Sequence, residues 1–469
     1  MSAAEPPPRS AEVRSSQLLR APGLWAGPAI IASVLVLLMT VFYIGSAVDP
    51  VSHLRGLPVA IVNDDAGTTI ASRQVSFGRQ LESGLLSSHT VSTLLGLKPS
   101  TSDQARRTMD RDDAYAAIVI PPRFTTSLLA LAGVRSPAAA GTGKPTVELL
   151  TNLRAGSEGV ALATNVVQPA IARASRLIGR QLSAIAASSR AREAATVSLL
   201  ADPLTLSTVP YRPLPPHSAL GLSAFYISLL AMICGFFTAM IVQASVDAGL
   251  GYATTEIGTH WRQRPPRAIS RFQTLLTKWV MSFVLGGLLT AVMLAVAVGI
   301  LGMDAPSLGY LWLFTWAAAT VVAVGTLTLL AVLGTPGQLL ALILFVYAGL
   351  ASAGGTVPLE ALPGFFRFLS NFEPLRQILS GVRAILYFDA RADAGLRRGI
   401  VATGIGLVFW LALGTAIVTW YDRRKLYRLH PTLLAYVNEA TSAYRAQRAG
   451  KSPPSGTEDE SRTAAADGT

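Results

Sequence analysis

From Asp304 to Glu360 the chain runs 55 residues without a single Asp, Glu, Lys or Arg. Soluble domains carry about 25% charged residues, so a water-exposed surface is hard to build from such a stretch. The whole chain of 469 residues is only 14% charged and 51% hydrophobic. The gap is long enough for two bilayer crossings at about 20 residues each. A fully soluble enzyme, a disordered chain and a coiled coil are excluded. The pattern predicts an integral membrane protein.

Six charge-free apolar runs are visible, at 24–46, 219–246, 279–303, 310–333, 338–357 and 399–421. Each covers about 30 Å of hydrocarbon as a helix, which satisfies its own backbone hydrogen bonds there. The fifth run ends in small residues (Gly349, Ala351, Ser352, Ala353, Gly354, Gly355) and is the one expected to break early. Trp25, Tyr43, Trp279, Tyr310, Trp312, Trp420 and Tyr421 sit near run ends, where amphipathic rings favour the headgroup region.

Basic residues close to span ends set the expected orientation. The connection 247–278 carries Arg262, Arg264, Arg267, Arg271 and Lys278 against Asp247 and Glu256. Arg423, Arg424, Lys425 and Arg428 follow the last run directly. Both termini are therefore expected in the cytoplasm of a bacterial cell (inner) membrane, with 47–218 and 358–398 outside. Against this, 358–398 holds six arginines and four acids; the concentrated clusters outweigh it, because charge bias loses force as loops lengthen. The uncharged stretch 21–48 is far longer than the apolar core of about 7–15 residues in a signal peptide, so the first run reads as a retained span. The formal charge of +12 is spread over the segments with no concentrated basic face, so no nucleic-acid partner is expected.

Residues 47–218 carry an α/β pattern. Leu57-Pro-Val-Ala-Ile-Val62 is an apolar run of strand length, stopped by the turn Asn63-Asp64-Asp65-Ala-Gly67. Further strands are predicted at 90–95, 115–120 and 146–151, with helices at 70–86, 102–110, 124–131 and 157–200, the last interrupted near Pro169. Strands alternating with helices point to a small mixed sheet. Residues 138–144 and the proline-rich 203–216 read as linkers, and 452–469 reads as disordered. The fold class is thus an α-helical polytopic membrane protein of six transmembrane helices with an α/β extracytoplasmic domain inserted between helices 1 and 2. In domains, this is a cytoplasmic tail at 1–23, helix 1 at 24–46, the α/β domain at 47–218, a five-helix domain at 219–421 and a cytoplasmic tail at 422–469.

No motif points to catalysis. Gly141-Thr-Gly-Lys144 has Ala138 and Pro145 where a phosphate loop needs Gly and Ser or Thr. His53, His89, His217, His260 and His430 are scattered without metal spacing. The turn Asn63-Asp64-Asp65 lacks the ligand spacing of a calcium loop and reads as solvated. The only cysteine, Cys234, falls inside the second run, so the α/β domain has no disulfide. No cofactor, metal or catalytic residue is assigned, and the chain is not expected to be an enzyme.

Two segments carry more information. After Pro363 and Pro374, residues Leu375, Ile378, Leu379, Val382, Ile385 and Leu386 form one apolar stripe at helical spacing, with Arg376, Gln377 and Arg383 off it. This helix is expected to lie at the outer membrane surface or to dip in and return. The second segment is the basic loop with Glu256, Arg262, Arg264, Arg267 and Arg271, a docking surface for a partner or simply a topology signal.

One span, an α/β domain and five further spans together resemble the type-2 ABC exporter membrane subunits, most closely their phage-infection-protein (YhgE/Pip) and nitrosoguanidine-resistance-like branch. The residues that carry the resemblance are Leu57-Pro-Val-Ala-Ile-Val-Asn-Asp64, Asp113-Ala-Tyr-Ala-Ala-Ile-Val-Ile-Pro-Pro122-Arg-Phe124, and the series Pro358, Leu362-Pro363, Pro374 and Arg383. It implies a homodimeric exporter permease in contact with membrane lipid, moving a hydrophobic or amphiphilic compound such as a lipid or drug out of the cell. It maps 363–386 to an outer re-entrant element and 250–275 to the contact with a separate ATP-binding subunit, which members of the branch often lack. A non-transporting secretion factor or phage receptor acting through the exterior domain shares the same outline. The orientation is directly testable. A reporter fused after Leu200 should be active only outside the cytoplasm, and fusions near Arg267 and Arg428 only inside; a cytoplasmic signal at the first point inverts the scheme.

Overall fold

The computed structural model describes residues 20–428 apart from 21, 71–72, 133–143, 189–199 and 263, together with parts of 432–443. The predicted linker 138–144 therefore lies outside the described residues except for Lys144, and the tail 452–469 lies outside them altogether. The described chain is mostly helical. Six helices are long and apolar enough to cross a membrane, and a small α/β region accompanies them.

The first span is α1 (Pro22–Ala47), and the α/β region follows it in sequence. Its elements are β1 (Leu57–Asn63), β2 (Thr68–Ile70), β3 (Arg73–Val75), α2 (Phe77–Ser87), α3 (His89–Leu94), β4 (Leu95–Ser100), α4 (Ser102–Asp110), β5 (Ala116–Ile120), α5 (Phe124–Leu131), β6 (Thr146–Thr151), α6 (Ser157–Ser188) and β7 (Thr205–Pro210). Five strands form one sheet in the order β4-β1-β5-β6-β7. β1 pairs in parallel with β4 and β5, β5 pairs antiparallel with β6, and β6 pairs in parallel with β7. Alternation along β1 splits the core: Leu57, Val59 and Ile61 pack beneath α2, α5 and α6, while Ala60 and Val62 face Ala105 and Met109 of α4.

Several local expectations change. Residues 89–94 are helix, and the strand falls one step later at Leu95–Ser100. Thr90-Val-Ser-Thr suits a strand by propensity, but here it forms a turn of helix whose Val91 enters the core. The predicted helix over 70–86 begins only at Phe77, where the Ser76 side chain caps Arg79 N–H at 3.2 Å. The segment before it forms the hairpin β2–β3. Pro169 sits inside a continuous α6 and does not interrupt it. Residues 203–216 are more than a linker, because β7 pairs with β6 along the sheet edge, the place a strand ending in proline is tolerated.

The membrane helices after α1 are α7 (Ser223–Gly249), α8 (Arg271–Leu294), α9 (Leu308–Leu333), a broken fifth span of α10 (Thr335–Ala341) and α11 (Ala348–Ser352), and the sixth span. A π turn at Leu342–Tyr347 joins the halves of the fifth, which starts and stops earlier than the apolar run and ends among the small residues. Two short helices follow, α12 (Gly364–Leu369) and α13 (Pro374–Tyr387), and then the last span, α14 (Leu396–Arg423). α9 is the most buried span, whereas α1 and α14 expose most of their apolar surface. Close approach depends on glycine at Gly235, where a side chain would strike the Ala319 carbonyl of α9, and at Gly381 of α13, where it would strike the Phe314 ring.

Candidate functional site

In the acidic turn after β1, Asp64 is exposed as expected, whereas Asp65 is a structural pin. Asp65 accepts from Ser76 Oγ (2.9 Å), Gly78 N–H (3.1 Å), and Thr125 N–H and Oγ1 (3.0 and 2.6 Å). It thereby satisfies orphan donors at the first turns of α2 and α5, where a negative charge is favoured. Its lone pairs are occupied by the fold, which removes it from the candidate sites.

The predicted coupling residues do not converge. Glu256 stands exposed on a small hairpin of β8 (Thr255–Ile257) and β9 (His260–Arg262), opposite Trp261. Arg262 lies in β9, its side chain outside what is described, and Arg264 and Arg267 are exposed. Arg271 is instead built into the bundle. Its Nε donates to the Leu426 carbonyl at 2.7 Å, while its own N–H and that of Phe272 donate to the Asp422 carboxylate at 3.0 Å each. Asp422 thus caps α8 from the far end of α14.

Beneath this loop lies a buried cluster that sequence reasoning treated only as topology charge. Asp247 accepts from Lys278 Nζ (2.7 Å) and from both Arg428 terminal nitrogens (2.8 and 2.7 Å), and Gln243 joins Asp247 and Lys278. The end of α7, the first turns of α8 and the tail after α14 are locked at one point. The Arg428 guanidinium also covers the Tyr252 ring at 4.8 Å.

Two cavities lie at the other end of the bundle, between the α/β sheet and the segment that carries α12 and α13. They enclose about 960 and 660 Å³, the first of mixed lining and the second mainly polar, and share Asp112, Asp113, Ser380 and Arg398 in their walls. Together they form one chamber. Its α/β wall comes from the turn after α4, where Asp112 adopts a positive φ of 62°. The Asp112 carboxylate meets Arg383 of α13 at 3.1 Å, both side chains nearly buried (15% and 13% exposed), and its other oxygen has no hydrogen-bond partner. Burial pushes this carboxyl up to about 6, against the pull of Arg383. Glu360, on the opposite wall, is also pushed up by burial and leaves Oε2 unpartnered.

Both predicted prolines open helices, Pro363 as the cap before α12 and Pro374 in the first turn of α13. All six residues of the predicted stripe are buried. α13 carries the stripe between α7, α9 and α14. Arg376 points into the chamber and bonds the Ser370 carbonyl, Ser370 Oγ and Asn371 Oδ1. Burial, and next the neighbouring Arg398 charge, hold Arg376 below its ordinary value. Glu373 caps α13 by accepting Arg376 N–H at 3.2 Å. It is 2% exposed and its Oε1 has no partner, so burial pushes its carboxyl up to about 8. Of the expected site residues, the structure brings Arg376 and Arg383 together. Asp112, Glu360, Glu373 and Arg398 were missed; the acids just before Pro374 and just after Glu360's charge-free run were the available signals.

Comparison with known proteins follows from this architecture. The family described as "Protein of unknown function (DUF3533)" matches residues 29–411. The "Uncharacterized protein YhgE" of Bacillus subtilis (strain 168) is 22% identical over 232 residues, 49% of this chain and 27% of that protein's length, in keeping with the branch resemblance read from the sequence. The crystal structure of a domain of "a putative ABC type-2 transporter" from Thermotoga maritima MSB8 aligns with 33% of this chain and 85% of its own, at 24% identity and a TM-score of 0.22.

Two outcomes test the site's energetics. Arg383→Met leaves Asp112 buried and unpaired and should cost roughly 3–5 kcal/mol in detergent unfolding, with Asp112→Asn in the same chain recovering most of it. A cost no larger than that of exposed Arg391→Met would show the pair to be solvated. Glu373 has a folded value above its ordinary 4.5, so the folded state holds this proton more tightly. Its contribution is complete below 4.5 and is lost as pH rises through about 8. Thermal unfolding from about pH 6.5 to 8.5, above the Asp112 step, should therefore show falling stability that Glu373→Gln abolishes; an unchanged slope in the variant would place the titration elsewhere.

Proposed function

The chain belongs to the DUF3533 family and is a multi-pass membrane protein, and from that premise we propose that it is a permease that moves an amphiphilic compound, such as a lipid or drug, outward across the cell membrane. The observation that carries the reading is the shape of the chamber. Its walls are polar where α/β turn and α13 meet, and apolar where Val401, Ala402 and Ile405 of α14 continue them. A molecule with a polar head and an apolar chain fits such a boundary, and the exposed face of α14, which lines the chamber, faces the bilayer in this reading.

In this reading both termini are cytoplasmic, the α/β unit is an extracytoplasmic domain inserted between the first two spans, and α12–α13 form a re-entrant element that closes the chamber from outside. Energy comes from a separate ATP-binding subunit gripping the β8–β9 hairpin, and two copies of the chain pair in the membrane. The Asp247–Lys278–Arg428 lock beneath the hairpin makes such a loop mechanically useful: a force on it reaches α7, α8 and α14 at once.

A deletion strain tests the reading. Loss of the gene should reduce export of a labelled amphiphile, and Glu256→Ala or Arg264→Ala should lose partner pull-down at unchanged membrane abundance, since exposed charges contribute only about 0–1 kcal/mol to folding. Unchanged lipid and drug export, with defective secretion or phage adsorption, would instead make the chain a non-transporting envelope factor.

A further inference from the structure

An arginine in a protein interior ordinarily finds a carboxylate, because an unpaired charge there is costly. Among the described residues, Arg376, half-buried, has no ion pair, and Arg398, exposed at the rim of the same cavity, has none either. Arg376 bonds the Ser370 carbonyl, Ser370 Oγ and Asn371 Oδ1 at 3.3, 2.9 and 3.2 Å. Arg398 gives Nε to Gln377 Oε1 at 2.7 Å. Every one of these acceptors is neutral, and the ion pairs among the described residues involve neither arginine. Neutral acceptors fix the direction of a guanidinium without cancelling its charge.

Among the described residues, no acid of the chamber makes an ion pair with either arginine. Asp112 is taken by Arg383, and Asp393 by Arg111 and Arg391. Glu360 lines the same cavity as Arg376 without an ion pair to it, and Asp113 stands exposed at the rim. Lys98 on one wall and Arg397 on the other add further positive charge. Both Arg376 and Arg398 line the same cavity, and below Arg398 the wall turns apolar through Val401, Ala402 and Ile405.

We propose that Arg376 and Arg398 hold the phosphate of an anionic lipid whose chain lies along the exposed face of α14. Guanidinium forks match phosphate geometry, and two fixed ones leave open donors for its oxygens. Val401, Ile405 and Val408 are 52%, 64% and 67% exposed and share one helix face. From Arg398 to Val408 is about 15 Å at the helical rise, the hydrocarbon depth of one leaflet. The inference rests on the permease reading and narrows its cargo to phosphate-bearing amphiphiles.

The test uses the full chain in non-ionic detergent, with phosphatidylglycerol, phosphatidylcholine and inorganic phosphate as probes and native mass spectrometry or fluorescence as readout. Phosphatidylglycerol should bind in preference to phosphatidylcholine. Arg398→Gln and Arg376→Gln should each weaken it about tenfold or more, the size expected for a lost charge-assisted contact. Arg398→Lys, which keeps the charge and loses the fork, should bind more tightly than Arg398→Gln, which separates charge from fold, and Arg391→Gln should leave binding unchanged. Equal binding of the two lipids, or intact binding in both glutamine variants, overturns the proposal. Displacement by millimolar inorganic phosphate would make this a free-anion site and overturn the lipid assignment. Cross-linking of Ile405→Cys between two copies, with lipid bound regardless, would give the α14 face to a second copy. A wild-type chain that binds phosphatidylglycerol but exports nothing defeats the export reading alone, whereas export without headgroup preference defeats only this inference.

Discussion

Hydrocarbon offers no partner to a charge or an open backbone group, and the architecture follows from where that leaves the ionisable residues. The middles of the six spans are uncharged, so the charges collect at the two ends of the bundle and are organised there by tertiary contacts. At one end Asp247 gathers Lys278 and Arg428, and Asp422 caps α8 across the bundle. At the other, Asp112 reaches from the α/β unit to Arg383 of α13. Each cluster joins segments far apart in sequence, so each fixes the mutual placement of helices that apolar packing alone would let slide.

The two ends differ in how completely they are satisfied. The Asp247 carboxylate has four hydrogen bonds from charged or amide donors, which suits a rigid lock. The chamber end leaves Asp112 Oδ1, Glu360 Oε2 and Glu373 Oε1 without partners, while Arg376 and the exposed Arg398 bond only neutral acceptors. Buried polar groups are ordinarily paired, so a concentration of unpaired ones beside a cavity marks the place where the fold gives up stability for recognition. In the proposed permease, one end transmits force and the other meets cargo.

Glu373 shows how closely structure and chemistry are interleaved there. It starts α13 as its cap, lies against Gly349 of the broken fifth span, and carries a raised carboxyl because protein surrounds it. The break of that span at Ser352 and the return through α12 are what bring this acid inside.

Much of this was written in the sequence, because hydrophobic run length and the spacing of apolar residues are local properties. The six spans, β1, β5, β6 and the α13 stripe all follow from them. Local propensity failed at 89–94 and at Pro169, where packing against the sheet decided the conformation, and at β7, whose pairing with β6 spans some sixty residues. The site divided in the same way. Arg376 and Arg383 could be found as polar residues off an apolar stripe. Asp112 could not, since it lies 271 positions from Arg383, and neither could the bond that Arg398 donates to Gln377 across 21 positions. The sequence by itself determined which segments enter the membrane; only the tertiary structure decided which charges meet, because pairing across a fold depends on distances in space that no run of residues records.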